Sequence, residues 1–267
     1  MVIPAIVLFI LGTLFGSFLS VVIYRIHEKK SGILFGKSEC PHCHKKLKVI
    51  DLIPLLSYVV NKGKCRMCHK KISASYIMLE ILCGLIFVVL YCYPPFIILA
   101  GFNNFTYDGF LLLRYIYLAV ISLFLIGIFI YDLKYLEIPE IFTFPAIGLV
   151  FFWSIFYPDP GFMSMAIGGA IAALFFGLQV LISKEQWLGA GDTQVGILMG
   201  MFLGWELFLV GLFATYFVGS LLSILLLARK KVTRKSKIPF APFIVTATFI
   251  VLFFGEYLYD LYLQTLF

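Results

Sequence analysis

Eight apolar runs constrain the fold of this chain of 267 residues more than any other feature. They cover residues 3–24, 76–93, 110–130, 139–156, 162–182, 195–203, 206–228 and 242–263. A helix needs about 20 apolar residues to cross a bilayer, and most of these runs approach or reach that length. Charged residues make up only 13% of the chain, against roughly 25% in a soluble domain. We therefore predict an all-α polytopic membrane protein with about eight transmembrane helices.

The basic residues sort to one side of the predicted spans. With eight crossings, 20 of the 21 Lys and Arg residues fall on the same side, and only Arg114 lies elsewhere. The positive-inside rule assigns that side to the cytoplasm. The net charge of +7 therefore reflects topology, and no basic stripe interleaved with aromatic residues indicates nucleic-acid binding. We expect the run RKKVTRK, which starts at Arg229, to contact membrane lipids at the cytoplasmic surface.

The first apolar run continues to Tyr24 without a small-residue cleavage site, so we interpret it as a membrane helix rather than a signal peptide. The only long polar stretch follows it. We divide the chain into a first transmembrane helix (1–26), a cytoplasmic cysteine module (27–75) and a transmembrane core (76–267).

Two Cys-x-x-Cys pairs, CPHC and CRMC, lie in the polar stretch. Each pair offers two sulfurs from one tight turn, so Cys40, Cys43, Cys65 and Cys68 together suit a tetrahedral zinc site. We predict a small zinc-ribbon-like insert between the first and second membrane helices, with Zn²⁺ in a structural role because four thiolates leave no open position. Reduced or redox-active thiols and disulfides remain alternatives.

Three histidines, His42, His44 and His69, lie beside these cysteines and are expected to be solvated neighbours rather than ligands. The remaining cysteines, Cys83 and Cys92, fall in an apolar run and are predicted to be packed thiols.

Two aspartates stand at predicted edges of the membrane, Asp132 in YDLKYLEIP and Asp192 in WLGAGDTQVG. An ionisable residue in a membrane span is costly and is a functional candidate by default. Both are expected at the cytoplasmic edge, on different helices at the same depth. Such a pair suits an aspartic protease, in which an ionised carboxylate takes a proton from water and a protonated one hydrogen-bonds the scissile carbonyl. We predict Asp132 and Asp192 as the catalytic pair.

Four nearby residues are predicted to support this pair. Gly189 and Gly191 would let the backbone turn and approach a substrate strand closely. Lys134 is the nearest cation to Asp132 in the sequence, and Glu185 either lines the site or pairs with Lys184. Position alone leaves one alternative open, namely that both aspartates only cap helices or pair with nearby lysines.

The motifs occur in a specific order along nearly the whole chain: GSFLSVVIYRI, CPHC, DLIPLLSY, GKCRMC, ISASYIMLE, YDLKYLEIP, GAGD and IPFAPF. In this order they resemble the bacterial type IV prepilin peptidases, also called leader peptidase/N-methyltransferases, which are GxGD-type aspartic proteases. Three positions depart from the pattern. Ser20 stands where many members have Asn, Glu140 where Asp is usual, and Gln194 where a Lys is common.

The resemblance implies an activity. Such an enzyme would cut the basic leader from type IV pilin or pseudopilin precursors at the cytoplasmic face of the bacterial inner membrane, typically just after a glycine. It would then methylate the new N-terminal amine with S-adenosylmethionine. Asp132 and Asp192 match the family's catalytic aspartates, and the four cysteines match its cysteine module. No Gly-rich loop between a strand and a helix marks a methyl-donor site, so methyl transfer rests on the resemblance alone.

Three other functions fit part of the pattern. Other GxGD intramembrane proteases share the YD and GAGD strings but lack the cysteine insert. An ion-coupled transporter would use membrane aspartates as relays, but transporters favour inverted repeats, and no repeat is visible. A non-catalytic pilin-binding member of the same family would not need both aspartates.

Overall fold

The computed structural model describes residues 2–29, 32–33, 36, 38–40, 42–43, 45–92, 108–157, 159–230 and 237–266. Its helices are α1 Val2–His27, α2 Leu56–Val60, α3 Ala74–Cys92, α4 Asp108–Tyr135, α5 Glu140–Phe156, α6 Phe162–Ser183, α7 Ala190–Ala228 and α8 Ala241–Leu266. A 3₁₀ turn, Val49–Leu52, precedes α2. No strand occurs within these ranges, and the predicted all-α class is confirmed.

The membrane helices correspond to the predicted apolar runs. Among the described residues, five helices are long and apolar enough to cross a bilayer, namely α1, α3, α4, α6 and α7. Two further apolar helices are shorter, α5 and the segment Ala241–Gly255 of α8. The sixth and seventh predicted runs lie together in α7, which has 39 residues.

Helix α7 is interrupted at Gly204, whose φ of 74° lies in the left-handed region that favours glycine. Twelve residues of straight helix would separate Met199 from Gly211 by about 18 Å. Instead, the Met199 side chain packs directly on Gly211. The chain therefore reverses at Gly204, and residues 190–203 and 205–228 form two antiparallel helical segments, as the apolar pattern predicts.

The chain folds as two compact units, Met1–Leu123 and Phe124–Phe267, with the boundary inside α4. In the first unit, α1 and α3 pack antiparallel through small residues. A side chain at Gly12 would meet the backbone of Cys83, and one at Gly16 would meet the backbone of Glu80. Without a hydrophobic force between helices in lipid, such close backbone approach supplies the packing energy. The three-part division of the chain made above stays a prediction.

The second unit uses the same device. Gly168 of α6 and Gly200 of α7 lie backbone to backbone, and Phe176 fills the space beside Gly196. Further along, the ring of Phe243 in α8 packs on Gly219. These contacts order α6, α7 and α8 side by side around the residues discussed below.

Some predictions fall outside the described residues. These are residues 94–107 of the predicted outer loop, residues 231–235 of the basic run, and His44. The prediction of a packed thiol is correct for Cys83, which is fully buried, and wrong for Cys92, which is exposed. Cys92 is the last residue of α3. A helix in a membrane has lipid-facing positions as well as packed ones, so a cysteine in an apolar run need not be packed against protein.

We expect Gly168→Ala to destabilise the second unit, because the added methyl would overlap the backbone of Gly200. Overpacking of this kind costs about 1–3 kcal/mol. Gly177→Ala, on the same helix, is the matched control, since a Cβ there meets nothing within 4 Å. The measurement is the thermal unfolding midpoint of the detergent-solubilised protein by intrinsic fluorescence. Equal midpoints for the two variants would contradict the packing described here.

Candidate active site and metal centre

Asp132 lies in the last turn of α4, and its side chain is buried. Its Oδ2 atom accepts a hydrogen bond from the backbone N–H of Ala241 at 3.1 Å. Ala241 is the first residue of α8, and the first N–H groups of a helix have no partner within that helix. The carboxylate therefore satisfies a buried backbone donor, and the positive end of the α8 dipole favours a negative charge beside it.

Asp192 lies in the first turn of α7 and is half-buried. Its Oδ2 atom accepts a hydrogen bond at 3.0 Å from the N–H of Gly189, the residue that caps α7. Both aspartates therefore accept a hydrogen bond at the start of a helix, as the capping alternative expects. Capping occupies only one oxygen of each carboxylate, however.

The two carboxylates lie within electrostatic range of one another. In the described part of the chain, the Oδ1 atoms of Asp132 and Asp192 accept no hydrogen bond from protein donors. Each carboxylate thus has one oxygen fixed by a backbone N–H and one oxygen left for water or a substrate. Chemically, such a pair can hold one proton and polarise a water molecule.

The two glycines of GAGD differ in what they do. A Cβ at Gly191 would lie 2.9 Å from the Cβ of Ile138, so the loop that follows α4 packs directly on Gly191. A Cβ at Gly189 would meet only Oδ2 of Asp192, at an ordinary 3.6 Å. Of the two, Gly191 is the one that close packing requires. Because Ile138 follows Asp132 by six residues, this contact brings the segments of the two aspartates together.

The remaining predicted support residues lie at the surface. Lys134 is exposed near the end of α4, and Glu185 is exposed in the turn that follows α6. Their supporting role stays a prediction. Gln194, two residues after Asp192, instead links two helices: its Oε1 atom accepts a hydrogen bond at 2.9 Å from the hydroxyl of Thr143 in α5. At the position where the family commonly has Lys, this chain has a glutamine that hydrogen-bonds to a neighbouring helix.

An aromatic cluster fixes the segment that carries Ala241. Phe240 packs against Phe176, Tyr216 and Phe243, with ring centroids 5.7–6.3 Å apart. These contacts hold the start of α8 where its first N–H meets Asp132. The Tyr216 hydroxyl donates a hydrogen bond to Oε1 of Gln179 at 2.9 Å and lies within electrostatic range of Asp192.

Sequence reasoning did not assign roles to Ala241, Tyr216, Gln194 and Thr143. The string IPFAPF marked the first of these only through the family resemblance, because a backbone N–H carries no signature in the residue type. The contacts of the other three depend on which helices are neighbours.

Each Cys-x-x-Cys pair of the module forms a similar turn. An isolated β-bridge closes each one, between Glu39 and Lys46 and between Lys64 and Lys71. In the first turn the N–H of Cys40 donates to the carbonyl of Lys45, and in the second the N–H of Cys65 donates to that of Lys70. The two turns therefore present their sulfurs in the same way.

All four sulfurs, those of Cys40, Cys43, Cys65 and Cys68, lie within 4.8 Å of one another. The sulfurs of Cys40 and Cys68 are 3.9 Å apart. A tetrahedron with Zn–S bonds of about 2.3 Å requires sulfur separations of about 3.8 Å. The arrangement fits a four-thiolate metal site, whereas His42 and His69 are exposed and lie outside the cluster.

The surroundings of the sulfurs favour at least one thiolate. Burial opposes ionisation of Cys65, but the N–H groups of Cys68 and Met67 and the neighbouring thiols outweigh it and lower its pKa to about 7. Burial raises the pKa of Cys40 to about 11.

Comparison with known proteins adds two family models that match in chain order. Residues 10–93 match the Bacterial Peptidase A24 N-terminal domain, and residues 119–224 match the Type IV leader peptidase family. The first match contains the four cysteines and the second contains both aspartates. No solved structure matches the chain.

Relatives named prepilin leader peptidase/N-methyltransferase are similar over most of the chain, and three of them serve as examples. The protein of Aeromonas hydrophila is 27% identical, covering 93% of this chain and 90% of the relative. That of Bacillus subtilis is 26% identical over 97% of both chains. That of Myxococcus xanthus is 31% identical, covering 84% of this chain and 63% of the relative. The resemblance seen in the motifs is confirmed, and the chain belongs to the type IV leader peptidase family.

Proposed function

We propose that this protein cleaves the basic leader of type IV prepilin-like precursors with Asp132 and Asp192 and then methylates the new N-terminal amine. The observation that carries the proposal is the pair of carboxylates from distant parts of the chain, each with Oδ2 held by a backbone N–H. The names of the relatives supply the reaction and the class of substrate.

The proton steps follow from this geometry. The ionised carboxylate accepts a proton from a water molecule as the oxygen of that water attacks the scissile carbonyl carbon. The other carboxylate, protonated, donates a hydrogen bond to the carbonyl oxygen and stabilises the charge that develops there. Collapse of the tetrahedral adduct returns a proton to the leaving amine. Because both Oδ2 atoms accept backbone N–H groups, we assign these steps to the two Oδ1 atoms.

A hydrophobic substrate suits the surroundings of the site. The aspartates end or begin membrane helices, and the aromatic cluster around Phe240 borders them on the same unit. A pilin N-terminus, itself an apolar helix, can approach such a site from the lipid without being extracted. The scissile bond then lies at the edge of the bilayer, where water can reach it.

The orientation proposed from the basic loops places the cysteine module and the aspartates in the cytoplasm, with the end of α3 on the opposite side. The 20 Lys and Arg residues on one side of the eight helical segments support this orientation. In a bacterium, the membrane would be the inner membrane.

Zinc is proposed as the metal of the four-cysteine site. Its ligands would be Cys40, Cys43, Cys65 and Cys68, and when bound it would supply structural cross-linking of two turns. In the part of the module that the structure describes, the helical elements between α1 and α3 are one short α-helix and a 3₁₀ turn, too little to form an apolar core of its own. The metal would substitute for that core.

We expect Asp132→Asn and Asp192→Asn each to reduce cleavage of a prepilin-like peptide by on the order of 10³-fold or more, because an amide cannot exchange the proton. The matched control is Glu137→Gln, an exposed acid five residues after Asp132. Purified protein in detergent is assayed by mass spectrometry of the peptide, with thermal midpoints to confirm folding. Full cleavage by either Asn variant would remove the two-aspartate mechanism.

The orientation has a test within the native cysteines. Cys92 is exposed at the end of α3 and is expected outside, while the module faces the cytoplasm. A membrane-impermeant maleimide should label intact spheroplasts at Cys92, and Cys92→Ser should abolish that labelling. The module cysteines should react only after lysis and chelation. Labelling of the module in intact spheroplasts would reverse the orientation.

The metal assignment predicts about one zinc per chain by inductively coupled plasma mass spectrometry. Cys65→Ser should lose the zinc, because the site then lacks one of two buried ligands. Cys83→Ser, a buried cysteine outside the cluster, should retain it. Wild-type protein purified without metal, or zinc loss in both variants, would contradict the assignment.

A further inference from the structure

A cavity of about 290 Å³ lies within the first unit, between α1, α3 and the cysteine module. Its volume is just below the range for pockets that bury a drug-sized ligand, roughly 300–1,000 Å³. The proteolytic mechanism makes no use of it. Cys40 and Cys65, the two buried cysteines of the metal site, form part of its wall.

We propose that this cavity is the binding site for the methyl donor, S-adenosylmethionine. The assignment rests on the proposed methyl transfer, and it places that step in the first unit. When bound there, the donor supplies a methyl group: the N–C bond to the amine forms as the S–C bond breaks, the amine releases one proton, and a neutral thioether leaves.

The charges of the cavity fit this ligand. Three cations and three anions line it: Arg25, Lys64, Arg66, Glu39, Asp51 and Glu80. S-adenosylmethionine carries a carboxylate, an ammonium, a sulfonium and two ribose hydroxyls. A lining with both guanidinium and carboxylate groups matches such a mixed ligand. A polybasic leader peptide, in contrast, would favour a lining with an excess of acids.

Glu80 is the main candidate to bind the ligand, because a charged side chain inside a membrane helix is energetically costly and is therefore a functional candidate. It is buried in α3, with 9% of its surface exposed. Its Oε2 atom accepts a hydrogen bond from the N–H of Leu55 at 2.8 Å, which ties α3 to the module. Within the described residues its Oε1 atom has no donor, and Glu80 lines the cavity. That oxygen is available to the ammonium or to a ribose hydroxyl.

Arg25 provides a complementary charge. It is 8% exposed near the end of α1, and its Nη1 atom donates to the carbonyls of Gly32 and Ile33, each at 3.2 Å. A buried guanidinium in the lining suits the carboxylate of the ligand, since Arg recognises carboxylates with two parallel hydrogen bonds.

Aromatic rings complete the fit. Tyr24, Tyr58 and Tyr76 all line the cavity, one from α1, one from α2 and one from α3. Tyrosine rings stack on an adenine, and their faces attract a cation such as the sulfonium. The cavity thus combines aromatic surface with charges of both signs.

The test measures binding of S-adenosylmethionine to the full-length, zinc-containing protein in detergent by isothermal titration calorimetry. Glu80→Gln keeps an acceptor for Leu55 but removes the charge, and we expect it to raise Kd about tenfold or more. Tyr76→Leu should weaken binding, and Tyr76→Phe should restore it because the ring is retained. Glu28→Gln, an exposed acid outside the cavity, should bind as the wild type does. Leader cleavage should persist in all four variants.

The possible outcomes distinguish failure of the cavity assignment from failure of the proposed methyl transfer. If the wild type binds the donor and methylates a cleaved peptide while Glu80→Gln and Tyr76→Leu bind equally well, the cavity assignment is overturned and methyl transfer stands. If the wild type neither binds the donor nor incorporates labelled methyl, the proposed methyl transfer falls and the assignment falls with it. If Glu80→Gln instead raises KM for the leader and leaves donor binding unchanged, the cavity binds the leader and the proposal is wrong.

Discussion

The structure depends on one constraint, namely that backbone N–H and C=O groups removed from water must be hydrogen-bonded within the protein. In hydrocarbon an unpaired backbone group costs several kcal/mol, so this all-α chain crosses the bilayer as helices. The first N–H groups of each helix have no partner within the helix and need acceptors elsewhere. Two of those ends, at the starts of α7 and α8, take an oxygen of Asp192 and of Asp132. The same hydrogen bonds that complete the helices hold the carboxylates in place. Capping and the proposed chemistry are therefore two uses of one arrangement, since each carboxylate has a second oxygen.

Close packing of helices at glycine gives this arrangement its rigidity. Lipid chains are as apolar as the side chains that face them, so helix association depends on surface fit rather than on hydrophobic burial. The Gly168–Gly200 contact and the packing of Ile138 on Gly191 bring backbones nearer than side chains would allow. The second contact lies next to both aspartates, and it couples the loop after α4 to the start of α7. A site built on such contacts is held by the backbone and not only by flexible side chains.

Each of the two units contains a cluster of polar and charged groups. The second unit contains the aspartates, the start of α8 and the Thr143–Gln194 bond between helices. The first unit contains the cysteine cluster and the cavity with its buried Arg25 and Glu80. The two family models match the chain in the same order, residues 10–93 and then 119–224. Each unit thus has its own set of costly buried polar groups, as expected if each supplies one of the two proposed activities.

The sequence by itself determined the membrane class, the eight helical segments and the two Cys-x-x-Cys pairs. Those features are local: a run of apolar residues favours a helix, and each Cys-x-x-Cys turn holds its own two sulfurs close together. It also indicated Asp132 and Asp192 as candidates, because an ionisable residue in a membrane span is costly and is a functional candidate by default. Gly191 was selected for backbone freedom, yet its actual role is to admit Ile138.

Only the tertiary structure decided which groups meet. The acceptor role of Asp132 depends on the N–H of Ala241, 109 residues away, and any residue type except proline would carry that donor. The cavity beside Glu80 exists because α1, α3 and the module pack together. The distances between these elements cannot be predicted from any local sequence pattern. The exposure of Cys92 was likewise not predictable from the apolar run, because burial depends on which helix faces pack together. Composition and spacing determine where the helices form. The site depends on contacts between helices, and these contacts join residues that are far apart in the sequence.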